Sequence, residues 1–299
     1  MKNFWQHSCS SHESSEYIWE QTLDHQATSL VFSWNASREA QKRLLFSVSL
    51  HNGTDWSSWI DYAYWGSDGQ GSFLSTQDEL PLTEETQAFR LRVKSMTQDN
   101  LEGVRQLFAS SQVLRENSVK ENLKGQMRIP VPELSQYLIP HPESNRLCSP
   151  ATATALIHAY DPASPVSALA VTEQVWDDSA NNYGNWSFAA AAIAEALGPN
   201  WCCWVDRLSG MTELLNLLSE KQAVGLSVQG PLQGSGKPYL EGHLLVACGF
   251  DSDKQSLLCM DPAGSPAESL FRWYKFSDFN AAWARRGYTA YRIAPHSPS

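Results

Sequence analysis

The chain has 299 residues, of which 42% are hydrophobic and 18% charged, and a formal net charge of −10. That is an ordinary globular composition, long enough for two domains and at least one sizeable core. The negative balance argues against a nucleic-acid backbone or an anionic membrane surface as the main partner. No apolar run approaches the roughly 18 residues that span a bilayer.

The opening MKNFWQHSCSSHESSEY has no apolar h-region and does not read as a signal peptide. A cytoplasmic protein without membrane insertion is therefore expected. From about Phe4 to Val93 the sequence is short, alternating and aromatic. SLVFSWNA, RLLFSVSLHNGTDW, SSWIDYAYWG and AFRLRVKS read as strands, separated by turn signals such as HNGT and GSDGQGS. This spacing predicts an antiparallel β-sandwich or jelly roll over residues 1–110. Six of the 12 tryptophans lie here: Trp5, Trp19, Trp34, Trp56, Trp59 and Trp65. They fill a sandwich core or form a platform for a carbohydrate or protein ligand, and the sequence leaves both readings open.

Residues 101–127 lose the strand pattern and read as polar, with a short helix, so a connector is placed at 111–128. From Ile129 the texture changes. Helical segments (SPATATALIHAY, SPVSALAVTEQVWDD, NWSFAAAAIAEALG, MTELLNLLSEKQ) precede apolar strands (AVGLSVQG, HLLVACGFD, SLLCMDP, YTAYRIA). Helices first and strands afterwards predict an α+β domain with an antiparallel sheet over 129–299.

Six cysteines occur, none with C-x-x-C spacing, so no structural metal and no cofactor is expected. Cys248 and Cys259 lie in apolar runs and read as core residues. Cys202 and Cys203, in NWCCWV, would project to opposite faces of a strand. Three N-x-S/T sequons, at Asn35, Asn52 and Asn185, carry little weight without a secretion signal.

Cys148 differs from the others. It directly precedes Ser-Pro where an alanine-rich helix begins, and proline is comfortable in a first turn. The thiol then faces unpaired N–H groups and the positive end of the helix dipole, which favours the thiolate. A cysteine nucleophile needs a base, and the base an orienting partner. His243, at a strand start after glycine, is the best placed of the eight histidines; His158, inside the helix, reads as a core residue. In the hairpin HLLVACGF–DSDKQ–SLLCMD, pairing centred near Asp253 sets His243 opposite roughly Ala263. Asp261 then lies diagonally on the same face, within reach of the imidazole; alternatively DPAG is only a strand-ending turn. Gln136, the only glutamine between Met127 and Cys148, would supply an oxyanion donor beside the Cys148 N–H.

With these residues in place, the chain resembles papain-fold cysteine peptidases of the double-glycine, bacteriocin-processing kind, number thirty-nine in the cysteine-peptidase series. It is closest in pattern to the stand-alone branch without a transporter. IPVPELSQYLIPHPESNRLCSPATATALIHAY is similar to that branch's Gln-loop-Cys-Ser-Pro segment, GNWSFAAAAIAEALG to its Gly-Asn-Trp helix, and GHLLVACGFDSDKQSLLCMDPA to its His hairpin ending in Asp-Pro. FRWYKFSDFNAAW and the SWNA stretch with its following tryptophans match further segments. The resemblance implies a papain-like domain with Cys148 as nucleophile, His243 as base and acid, Asp261 as orienting residue and Gln136 as oxyanion donor. Two departures stand out. Gln136 lies twelve residues before Cys148, farther than is usual, so an inserted loop must fold back. Ser149 replaces the glycine of transporter-linked members, and with no membrane region the cleavage after a double glycine is not carried over.

The function expected is hydrolysis of a peptide or isopeptide bond in a peptide or protein substrate. GNWSFAAAA is expected to line the cleft, with Asn185 and Trp186 near the bound chain. Acyl transfer to an amine, and a non-catalytic carbohydrate- or protein-binding module, are the alternatives.

Overall fold

The computed structural model describes residues 4–9, 14–38, 43–66, 78–97, 100–112 and 125–296. Its first half contains β1 (Phe4–Ser8), β2 (Glu16–Thr22), β3 (Ser29–Ala36), β4 (Leu44–His51), β5 (Ile60–Trp65), β6 (Leu80–Pro81), β7 (Ala88–Ser95) and β8 (Val104–Gln112). They form two antiparallel four-stranded sheets, ordered β1-β8-β3-β6 and β2-β7-β4-β5. Large rings join the sheets. Trp34 of β3 stacks on Phe46 of β4 with centroids 3.9 Å apart, and Phe32 meets Phe89 edge-on at 5.1 Å. Such pairs contribute about 0.5–1.5 kcal/mol each beyond their area.

The tryptophans divide by face. Trp5, Trp19, Trp34 and Trp65 are buried. Trp56 and Trp59 are half-buried, and the guanidinium groups of Arg90 and Arg92 cover their rings at 3.8 and 4.3 Å. Core filling accounts for the first four, and cation–π stacking for the other two.

One expectation fails in this half. Residues 104–112, read as part of a strandless stretch, form β8, an inner strand of its sheet between β1 and β3. Its serines and glutamines hid the strand because the sheet's second face is not solvated. Ser110 Oγ donates to the Val205 carbonyl at 2.7 Å, and Gln106 pairs with His296. Most of the predicted connector, residues 113–124, lies outside the described residues.

The second half comprises β9 (Gln126–Arg128), 3-10 turns at Gln136–Leu138 and Ser144–Arg146, α1 (Cys148–Tyr160), α2 (Ala168–Gln174), α3 (Trp186–Leu197), β10 (Trp201–Arg207) and α4 (Met211–Ser219). There follow β11 (Val224–Gly230), β12 (Tyr239–Asp251), β13 (Ser256–Met260), β14 (Phe271–Lys275), α5 (Phe276–Ala284) and β15 (Thr289–Pro295). A seven-stranded antiparallel sheet runs β10-β15-β11-β12-β13-β14, with β9 also paired to β12. The chain is thus a mixed α/β protein with antiparallel sheets and few helices.

Helix α1 is buried from Ser149 to Ile157 on every side, which its small residues permit. It lies on β11 and β12. Gly225 of β11 makes the approach close: an added Cβ would stand 2.9 Å from Leu156 and 2.7 Å from the Tyr291 ring. Cys203 joins the main core while Cys202 packs with Phe108 and Trp204 on the other face of β10.

The halves share one buried cluster. Asn35, fully buried on β3, donates from Nδ2 to the Cys203 carbonyl at 2.6 Å and accepts the Cys203 N–H at 3.3 Å. Ser187 Oγ at the head of α3 donates to the Phe32 carbonyl at 2.5 Å, and Phe188 packs on Trp34 and Trp65. The Asn35 and Asn185 sequons are therefore spent on buried structural bonds.

Candidate active site

Cys148 is the first residue of α1. Leu147 caps the helix with no side-chain hydrogen bond, so the first-turn N–H groups are left for another acceptor. The strand β12 crosses beside this end and carries His243, 5% exposed. Register then brings in the third residue. Val246 pairs with Met260 and Ala247 with Cys259, and extending that line sets His243 opposite Ala263. A bulge follows Ala247, and the turn closes between Asp251 and Ser256. His243 Nε2 lies 2.8 Å from Asp261 Oδ1, leaving Nδ1 as the ring nitrogen available to Cys148, whose thiol is lowered by the imidazole.

Asp261 is fully buried, and all its acceptor positions are used. Besides His243, Oδ1 accepts the Ala263 N–H at 3.0 Å; Oδ2 accepts the hydroxyls of Tyr239 at 2.6 Å and Tyr274 at 2.7 Å. Tyr239 also stacks its ring on the His243 imidazole, centroids 4.0 Å apart and 16° from parallel. The imidazole is thus clamped on its face by one ring and at its edge by a carboxylate that two phenols hold in place.

Burial dominates the electrostatics of each group taken singly and loses to their sum. Desolvation pushes His243 down, but the Asp261 charge and hydrogen bond, with Cys148 behind them, raise it to about 9. Burial would raise the Asp261 carboxyl, yet His243 and the two tyrosine hydroxyls hold it well below the usual carboxylate range. Burial would likewise raise the Cys148 thiol. The His243 bond and charge outweigh it, helped by backbone groups of Leu244 and Ser149, and the thiol is lowered. The other five cysteines go the opposite way: burial raises all of them, Cys9 and Cys248 to about 12. Cys148 is also the only one of the six that is half-buried; the other five are buried.

Gln136 lies in the first 3-10 turn. Its backbone N–H donates to the Pro262 carbonyl at 3.0 Å, tying it to the Asp261 turn. Its Nε2 donates to the Ser144 carbonyl at 3.1 Å, so the intervening loop does fold back. The side chain is buried with Oε1 unpartnered. Asn185 is the N-cap of α3: Oδ1 accepts the Ser187 and Phe188 N–H groups, and Nδ2 donates to Asp177 at 2.8 Å. Trp186 is 5% exposed, and the Arg207 and Arg286 guanidinium groups lie over its ring. The sequence reading did not find Tyr239 and Tyr274. Tyr239 precedes His243 by four residues on one strand, hence on one face, and that spacing was the available signal.

A cavity of about 1000 Å³ runs along residues 128–134 to His158 and Pro162. Its wall includes His158 toward the far end of α1, about 15 Å from Cys148 at 1.5 Å per residue, and none of these groups lines it. Among the described residues no helix is long and apolar enough to cross a membrane.

A family model for the Peptidase_C39 like family matches residues 128–291, a span that contains every candidate site residue above. Among solved structures, a chain from Bacillus anthracis described as a C39-like peptidase is 18% identical, with a TM-score of 0.44. The match covers 59% of this chain and 100% of that one. No curated protein matches the chain.

Proposed function

The chain belongs to the C39-like peptidase family, and on that premise we propose that it is a cysteine peptidase working through Cys148, His243 and Asp261. The observation that carries this is the clamped imidazole, with Nε2 on Asp261 and its other nitrogen free for a thiol at a helix N-terminus. Cys148 and His243 rest as thiolate and imidazolium. The sulfur attacks the substrate carbonyl carbon, and the carbonyl π electrons move to oxygen, held by the Cys148 N–H and the second Gln136 amide N–H. Collapse of the tetrahedral species breaks the C–N bond while His243 Nδ1 gives its proton to the leaving amine. The acyl group remains as a thioester on Cys148. Water then attacks with His243 as base, and the acid departs as the thiolate and imidazolium re-form. Each oxyanion donor is worth on the order of a hundredfold in rate.

In this reading residues 125–296 are a papain-like catalytic unit, and the two N-terminal sheets are a β-sandwich that braces it through β3 and α3. The test is mass spectrometry of a peptide pool incubated with wild type and with Cys148→Ala, with and without an added amine. New free carboxyl ends made only by wild type support hydrolysis. Products bearing the amine would point to acyl transfer, and identical pools from both proteins would refute the assignment.

A further inference from the structure

One charged group, packed against the residue before His243, has no part in this mechanism. A cavity of about 460 Å³ opens where the N-terminal sheets meet the catalytic half, lined by Ser29, Asp78, Glu79, Trp186 and Arg286 among others. Arg286 lines it and also packs against the backbone just before His243. Its Nη2 donates to the Glu241 carbonyl at 2.9 Å, and the next residue, Gly242, has a φ of +99°. A Cβ at Gly242 would collide with the Arg286 guanidinium, so the glycine directly before His243 both adopts a left-handed backbone and clears room for this arginine.

The cavity's carboxylates are already committed. Glu79 pairs with Arg207 at 2.9 Å and accepts the Ser29 hydroxyl. Asp78 accepts the Trp186 N–H at 3.1 Å, at the positive end of α3, and feels the Arg286 and Arg207 charges through space. Arg207 is turned inward, bonding the Arg286 carbonyl and Thr289. Arg286 is different. Among the described residues its guanidinium has a single hydrogen-bond partner, the Glu241 carbonyl, its Nε is buried with none, and the Trp186 ring lies 5.9 Å away. A guanidinium with several donors uncommitted, set against an indole in a half-enclosed cavity, is built to receive a planar anion.

We propose that this cavity is a specificity site in which Arg286 receives a carboxylate of the peptide substrate, with Trp186 as its apolar wall. The carboxylate comes from an Asp or Glu side chain or from a free C-terminus. This rests on the peptidase reading and deepens it: the N-terminal half supplies one side of the site, so it selects substrate as well as bracing the fold.

The experiment measures binding, so that it stands apart from turnover. Full-length Cys148→Ala protein is titrated with fluorescent decapeptides that differ only by Glu→Gln at each position in turn, each as free acid and as C-terminal amide. The site predicts at least tenfold tighter binding for one Glu position, or for the free acid over the amide, and the two series tell the sources apart. That ratio is expected to fall to near one when Arg286→Met is added and to survive in part in Arg286→Lys, with thermal midpoints confirming that both variants fold. A ratio near one in the Cys148→Ala protein, including no binding by any peptide, overturns the proposal, as does a ratio that persists in Arg286→Met. Failure of the peptidase reading shows separately, as wild type that selects carboxylates and cleaves nothing.

Discussion

Replacing Asp261 by Asn keeps the shape of the clamp and removes its charge. The amide oxygen still accepts from His243 Nε2, so the ring keeps its tautomer. What disappears is the anion that overcomes burial and lifts His243 from 6.5 to about 9. At 1.36 kcal/mol per unit, that interval corresponds to about 3 kcal/mol of stabilisation of the imidazolium. Without it, desolvation acts unopposed by the carboxylate and the ring falls below its ordinary value. The resting thiolate–imidazolium pair then loses at least about two orders of magnitude in population. The assay is the ultraviolet absorbance of thiolate against pH. Below pH 8 that signal belongs to Cys148 alone, because burial raises the other five thiols. Wild type should show thiolate at pH values below the range of an ordinary thiol, and the Asp261→Asn curve should be displaced to higher pH. Coincident titration curves would refute the reasoning.

Three further outcomes are expected. Tyr239→Phe and Tyr274→Phe each remove a bond to the buried Asp261 carboxylate, and each should cost about 1.5–3 kcal/mol in urea unfolding; a change under 0.5 kcal/mol in both would show that the phenols do not hold the carboxylate. Gly225→Ala drives a methyl into Leu156 and Tyr291 and should destabilise by about 1–3 kcal/mol, read as a lower thermal midpoint. The pH dependence of stability should also separate wild type from Cys148→Ala. His243 is raised, so its contribution is full below pH 6.5 and is lost as pH climbs through about 9. Cys148 is lowered, so its contribution grows with pH and offsets that loss. In Cys148→Ala the offset is gone, and the thermal midpoint should fall between pH 6.5 and 9 more steeply than in wild type. Parallel curves would contradict the coupling.

Strands β3 and β7 were legible to the residue, because β7 nearly alternates, β3 is a short apolar and aromatic run, and both are bounded by turn signals. The His243–Asp261 placement was also legible, since a hairpin register follows from its turn, and the bulge after Ala247 shifts the pairing onto the predicted line. β8 was not, because its polar residues bond to a neighbouring half that no local pattern announces. For the same reason SWNA does not reveal that Asn35 would be buried against Cys203. Helix α2 runs only from Ala168 to Gln174, shorter than its pattern, because the chain then turns so that Asp177 can receive the Asn185 amide. Tyr274 reaches Asp261 only through the pairing of β13 with β14, a tertiary fact.

The central claim is that Cys148 is a thiolate because His243 is an imidazolium. It is tested most directly by iodoacetamide labelling of each cysteine against pH in wild type and His243→Ala. Cys148 should react far faster than the other five below pH 7 and lose that advantage in the variant. Labelling of Cys148 at the rate of an ordinary thiol, with a midpoint near pH 8.5 in both proteins, would contradict the account.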